Sequence, residues 1–312
     1  MIFGNYRFSC LFTDDAELPE FKGSTFRGVF GRALKNVVCA LRRQECTGCL
    51  LKDRCLYSVV FETHETSKTS QARIATPPHP FVIEPPEENA TRYKKGDRFS
   101  FSLLLFGETN MHLPYFVYAF EQMGSMGIGR RIDGTRGRFI LEEVSTGDSL
   151  IYSSTDRKLK TDKELETLSL KNAIPAIEGD LSVMIRFITP VRLKFENRLT
   201  AELPFHILAR AMLRRVSSLF NAYDGNEPAL DYRGMVKRAE AVRTAKNELM
   251  WHDWRRYSFR QDQAMMLGGM TGSVTYTGAL GEYLPLMELC SRVHIGKQTT
   301  FGLGRFEMEM IP

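Results

Sequence analysis

His294-Ile295-Gly296-Lys297-Gln298-Thr299-Thr300-Phe301-Gly302-Leu303-Gly304-Arg305-Phe306 follows a helical stretch that opens on Leu284-Pro285-Leu286. The same order of signals occurs earlier in the chain. Leu113-Pro114-Tyr115 opens a helical stretch, Gly127-Ile128-Gly129-Arg130 follows it, and Gly137-Arg138-Phe139 closes the group. Helix, then Gly-x-Gly or His-x-Gly-Lys, then Gly-Arg-Phe, repeated in both halves, marks a duplicated unit.

Working outward from each copy gives the rest of a unit. In the first half, Tyr6, Phe8, Cys10 and Phe12 alternate with Arg7, Ser9 and Leu11 as a half-buried strand does. Ser24 is placed to cap a helix whose apolar stripe is Phe26, Val29, Phe30, Leu34, Val37, Val38 and Leu41. Its other face carries Arg27, Arg32 and Lys35. Short strands follow at Phe81-Val82-Ile83 and at Phe99, Phe101, Leu103 and Leu105, then the helix from Leu113 and a last strand at 138–144. In the second half the spacing predicts a strand at 181–189, a helix over 204–220, strands at 257–261 and 272–277, a helix over 282–292 and a strand at 304–310. The fold class is therefore α+β, with tandem ferredoxin-like (RRM-like, βαββαβ) domains, a Cys-rich insertion and a C-terminal glycine-rich loop. The expected boundaries are 1–150 with the insertion at 39–57, a charged linker at 151–179, and 180–312 with the glycine-rich loop at 294–305.

Composition sets the outer limits. The chain has 312 residues, and 42 Lys and Arg against 37 Asp and Glu leave a net charge of +5. At about 150 residues per domain, two domains are expected. With 43% hydrophobic and 25% charged residues the chain is neither fibrous nor disordered. The longest apolar run, Phe99 to Phe106, is interrupted by serines and far short of a membrane span. The first residues carry no charged-then-apolar leader, so no membrane is expected and the reading is cytoplasmic.

Cys39, Cys46, Cys49 and Cys55 form a C-x6-C-x2-C-x5-C group, while Cys10 and Cys290 stand alone in apolar stretches. In a cytoplasmic setting such a group binds metal more often than it forms disulfides, and a structural zinc is the leading reading. An iron–sulfur cluster and plain thiols fit the spacing too. Cys39 is expected inside the first helix, which makes it the outlying ligand. Four thiolates would leave no open position for chemistry.

The glycine-rich segment points to phosphate. Gly296, Gly302 and Gly304 let backbone N–H groups come close to an anion, Lys297 and Arg305 add charge, and Thr299 and Thr300 add hydroxyls. The G-x-x-x-x-G-K-[ST] order of a P-loop is absent, so nucleotide hydrolysis has no support. Aromatics interleaved with Arg255 and Arg256, in Trp251-His252-Asp253-Trp254-Arg255-Arg256-Tyr257-Ser258, suit stacking on bases and pairing with phosphates.

That segment resembles the C-terminal glycine-rich loop of the CRISPR repeat-processing endoribonucleases of the RAMP superfamily. Phe21-Lys22-Gly23-Ser24-Thr25-Phe26-Arg27-Gly28, Cys46-x2-Cys49-x5-Cys55 with Tyr57, Thr189-Pro190-Val191-Arg192-Leu193 and Asp253 to Ser258 match in order. The resemblance implies two ferredoxin-like domains flanking a basic cleft and cleavage of CRISPR repeat RNA in the precursor transcript. It implies that no cofactor is needed for catalysis: the 2′-hydroxyl attacks the adjacent phosphate and leaves a 2′,3′-cyclic phosphate. Such chemistry needs a base, a cation and a proton donor. Family members often carry a histidine in or just after the first helix, and here that helix has none. His64 with Tyr57 and Lys68 is the first candidate set and His294 the second; members without histidine use Lys or Arg, which would turn attention to Arg27 and Arg32. The competing reading is a non-catalytic RAMP-type subunit that holds guide RNA in an effector complex. Expected partners are repeat RNA and other CRISPR effector-complex subunits.

Overall fold

The computed structural model describes residues 1–41, 45–62, 77–160, 164–170, 179–193, 201–258 and 263–311. It divides into two units, Ile2–Glu166 with Tyr257–Gln263, and Met1 with Thr167–Arg256 and Ala264–Pro312.

The first unit is built on β1 (Ile2–Phe12), whose alternate residues Tyr6, Phe8, Cys10 and Phe12 are buried. Then come α1 (Gly23–Val38), β2 (Phe81–Glu84), β3 (Arg98–Phe106), α2 (Leu113–Met126), β4 (Ile128–Ile132), β5 (Thr135–Gly137), β6 (Phe139–Thr146), β7 (Ser149–Ser153) and β8 (Lys158–Leu159). The sheet runs β8-β7-β6-β1-β3-β2 and is antiparallel at every pair. β1 lies between the last and the third strand of the βαββαβ unit, which is the ferredoxin-like order. Helices and sheet are joined by phenylalanines: Phe8 packs on Phe120 at 4.7 Å between ring centroids, and Phe30 stacks on Phe120 at 4.5 Å. Each such ring contributes about 1.5–3 kcal/mol on burial, so this aromatic seam carries much of the unit's stability.

Four local expectations change. α1 starts at Gly23 and has no side-chain cap; Ser24 lies inside it. The buried Lys22 stands at the N-cap position instead, donating its Nζ protons to Glu88 O at 2.6 Å and Glu20 O at 3.3 Å, and burial pushes its amine down from the ordinary value. The helix ends at Val38, so Cys39 is its extended C-cap residue rather than a helical one, and Leu41 is exposed beyond it. Residues 151–160 are not a linker, because β7 and β8 extend the first sheet there.

The second unit contains β9 (Leu181–Val191), α3 (Phe205–Tyr223), α4 (Tyr232–Arg238), β10 (Arg243–Asn247), β11 (Met250–Ser258), β12 (Gln263–Gly278), α5 (Leu284–Val293) and β13 (Phe306–Ile311). Its sheet order is β10-β12-β9-β13, again ferredoxin-like, with β11 paired to β12. The second strand of this unit therefore begins at Arg243, well before the expected 257–261, and its partner is far longer than 272–277. The cause is visible: every residue of β10 is exposed, so no apolar alternation announces it. α3 buries Leu208, Met212, Val216 and Leu219, and Cys290 is fully buried beside it with Sγ 3.7 Å from Met212 O. No described helix is long and apolar enough to cross a membrane.

Candidate nucleic-acid interface

α5 ends where His294 takes a left-handed backbone, φ 58°. This residue is fully buried, and its ring Nδ1 lies 3.1 Å from Leu303 O, where it must donate because a carbonyl only accepts. Arg215 of α3 reaches the same corner. Its Nε donates to His294 O at 3.0 Å and Val293 O at 3.1 Å, and its Nη2 to Val293 O at 2.7 Å. Burial pushes that guanidinium down to about 10. Arg215 thus satisfies carbonyls that the end of α5 would otherwise leave orphaned, while the His294 ring holds a carbonyl of the loop itself.

The rest of the loop closes on itself and on the end of β9. Ile295 N–H donates to Gly304 O at 3.0 Å, Lys297 N–H to Arg192 O at 3.1 Å, and Gly304 N–H to Pro190 O at 3.0 Å. The Thr189 hydroxyl donates to Gly302 O at 2.7 Å and accepts from Arg305 N–H at 2.9 Å. Arg192 Nη1 donates to Gln298 Oε1 at 3.1 Å. Gly304, at φ 79°, lies so close to Ile295 O that a Cβ would collide with that carbonyl.

The expected phosphate contacts therefore sort differently. Thr299 and Thr300 are 8% and 7% exposed, and Gly302 and Gly304 are buried, so these four build the loop rather than face a ligand. Gly296 and Lys297 are exposed at its apex, and Arg305 is half-buried. His294, expected as a second candidate base, is corrected to a buried brace. On β11, Arg255 is exposed and His252 stacks on the half-buried Trp254 at 5.9 Å. Arg256 lies on the same strand, but its side chain is outside the described residues.

In the first unit, α1 presents its basic face beside the turn at Ser58–Glu62. The Arg27 guanidinium lies 5.0 Å over the Phe61 ring, Lys35 Nζ lies 5.4 Å over Tyr57, and the Tyr57 and Phe61 rings stack at 5.2 Å. His64 and Lys68 fall outside the described residues. His79, for which the sequence offers no constellation, sets its Nδ1 2.9 Å from Val60 O, on this same turn. The Cys46 thiol is pushed up, first by burial; Glu62, Cys55 and Cys39 act the same way and Lys35 opposes them.

The sequence reading also missed the β4–β5 hairpin. Asp133 and Gly134 form its turn with positive φ at both positions. Arg131 is exposed, and Arg136 donates Nη1 to Gly129 O at 2.9 Å. Burial lowers the Arg136 guanidinium pKa, and the like charges of Arg32 and Arg131 lower it further. Arg32 of α1 and Arg131 of the hairpin are thus near enough to Arg136 for like charges to repel, a cost that an anion would relieve. The signal that could have revealed it was Asp-Gly flanked by Arg130, Arg131, Arg136 and Arg138.

Residues 185–306 match the family model of the CRISPR-associated endoribonuclease Cas6, and residues 1–164 match a family described as an N-terminal domain. An uncharacterized protein of Archaeoglobus fulgidus is 25% identical over 303 residues, covering 96% of this chain and 95% of that one. Among solved structures, a Cas6 product complex aligns at TM-score 0.53 and 16% identity, covering 99% of this chain and 100% of its own. Thermus thermophilus Cas6 aligns at 0.52 and 14%, covering 99% and 98%. A partial Cas6-RT-Cas1–Cas2 complex aligns at 0.58 and 14%, covering 99% of this chain but only 46% of the longer one.

Proposed function

We propose that this chain, whose residues 185–306 match the family model of the CRISPR-associated endoribonuclease Cas6, is a Cas6-type repeat-processing protein and cuts repeat RNA in the precursor transcript without a metal. The ribose 2′-oxygen attacks the adjacent phosphorus, the bond from phosphorus to the 5′-oxygen breaks, and a 2′,3′-cyclic phosphate and a 5′-hydroxyl result. One proton leaves the 2′-hydroxyl and one reaches the departing oxygen, so a base and an acid suffice. The observation that carries this reading is the Cas6 match over 185–306, because that stretch contains the braced loop with Lys297 exposed at its apex.

In this reading Lys297 and Arg305 hold backbone phosphates on the second unit, and Arg32, Arg131 and Arg136 are a separate set of phosphate contacts on the first. Tyr57 and Lys35 are the described groups next to the chain that leads to His64, which remains the proposed base with Lys68 as the nearby cation. Other CRISPR effector subunits are the proposed protein partners. The competing reading, a subunit that holds guide RNA without cutting, draws support from the burial of His294 and from the absence of histidine in α1. Incubating the purified protein with its own repeat RNA in EDTA tests both. Product ending in a cyclic phosphate supports the nuclease; tight binding with intact RNA supports the holder.

A further inference from the structure

The excursion that follows α1 inverts the usual order of inside and outside. Leu41 is 41% exposed, Leu50 89% and Leu51 44%. Cys39, Cys46, Cys49 and Cys55 are each half-buried with none in a disulfide, and only at the segment's end does an apolar residue, Leu56, pack on the core. Among the described residues from 39 to 57 none is fully buried, and the segment is made of single turns. Its backbone bonds are local too, such as Cys49 N–H to Cys46 O at 3.2 Å and Cys55 N–H to Leu51 O at 2.8 Å. A segment without an apolar core needs another cross-link to hold one conformation.

We propose that these four cysteines bind a single zinc ion as thiolates and that the ion supplies the missing core of residues 39–57. Cys46 and Cys49 bracket a one-turn knuckle, and Gly48 within it has open space around it. Cys39 stands where α1 gives way to extended chain, and Cys55 opens the turn that carries Tyr57. Among the described residues no three potential ligands already stand in metal-binding geometry. Coordination therefore draws the thiols together, each losing its proton as it binds, so that metal binding and local folding are one event. A soft four-sulfur set selects zinc over harder cations, and it leaves no open position, which makes the role structural. The proposal stands apart from the cleavage reading, since a guide-holding subunit would need the same module.

The full-length protein, purified under reductant without chelator, should carry about one zinc per chain. Exchange into cobalt should give the charge-transfer absorption of a tetrathiolate. Cys49→Ser should lose the metal and Leu50→Ser should keep it. If Cys49→Ser fails to fold, limited proteolysis of chelator-treated wild type decides: cuts confined to 39–57 and reversed by added zinc are expected. Four free thiols with no metal bound, a disulfide among them, or iron with acid-labile sulfide would each overturn the proposal.

Discussion

Lys297 and His294 stand three positions apart, and their environments assign them opposite work. Lys297 is exposed at the loop apex, so Lys297→Ala should weaken repeat binding and lower the salt dependence of log K by about one released counterion. His294 is fully buried with its ring on Leu303 O, so His294→Ala leaves that carbonyl unpaired and should cost about 1–3 kcal/mol of stability. Chemical denaturation and filter binding on the same two variants separate the effects. Should His294→Ala cut slowly at full stability, the buried brace would be the wrong description. His64→Ala should bind RNA as wild type does and cut at least about tenfold more slowly in single turnover. Unchanged cutting would move the chemistry onto Lys and Arg.

At the scale of elements, the duplicated signature turns out to mark one architectural position. In both copies Leu-Pro opens the helix, with proline at the first turn where its missing N–H costs nothing. In both, a residue of positive φ follows the helix end, Gly127 at 74° and His294 at 58°. Beyond that residue the copies diverge, into a hairpin of arginines in one unit and a self-bonded loop in the other. Gly304→Ala forces a Cβ into Ile295 O at φ 79°, and should cost about 1–3 kcal/mol and weaken RNA binding. Gly48→Ala, with open space around it, should do neither. α4 is tied to the turn Gly281–Tyr283 that precedes α5 by Arg238, which bonds Glu282 at 2.8 Å through both Nε and Nη2 and Asp231 at 3.0 Å. The Gly234 N–H and then Arg238 hold the Asp231 carboxyl below its ordinary range, and Arg238 does the same for Glu282. Depressed carboxylate values stabilise the fold above the ordinary range near about 4 and cease to do so as pH falls through the depressed values. Thermal melts of Arg238→Gln should accordingly show a shallower loss of stability on acidification than wild type; equal slopes would remove this pairing from the acid response.

Across the whole molecule, the features legible in the sequence were those that repeat. Alternation gave β1 and β3, helical spacing gave α1 and α3, and the doubled signature gave the two ferredoxin-like units. Elements without apolar alternation stayed hidden: β10 is exposed at every residue, and the β4–β5 hairpin buries only Ile128 and Gly137 at its base. At the site, residue type misled. Thr299 and Thr300 read as phosphate ligands and are buried, whereas Arg215, which no motif singled out, is a buried brace. Lys297, expected to face a ligand, is exposed at the loop. The modest net charge of +5 also hides a local concentration of arginine on the first unit, so binding should fall steeply with salt despite that small total. Arg131→Ala and Arg136→Ala should each flatten the salt slope, as Lys297→Ala does. The central claim, that this chain cuts repeat RNA by internal attack of the RNA's own 2′-hydroxyl, is tested most directly by one measurement. Repeat RNA bearing a single 2′-deoxy substitution at the mapped cleavage position is incubated with the protein in EDTA beside the unmodified RNA. The unmodified strand should yield a cyclic-phosphate product and the substituted strand no cut, with both bound alike. Cleavage of the deoxy strand, or loss of all cleavage once divalent ions are removed, would contradict it.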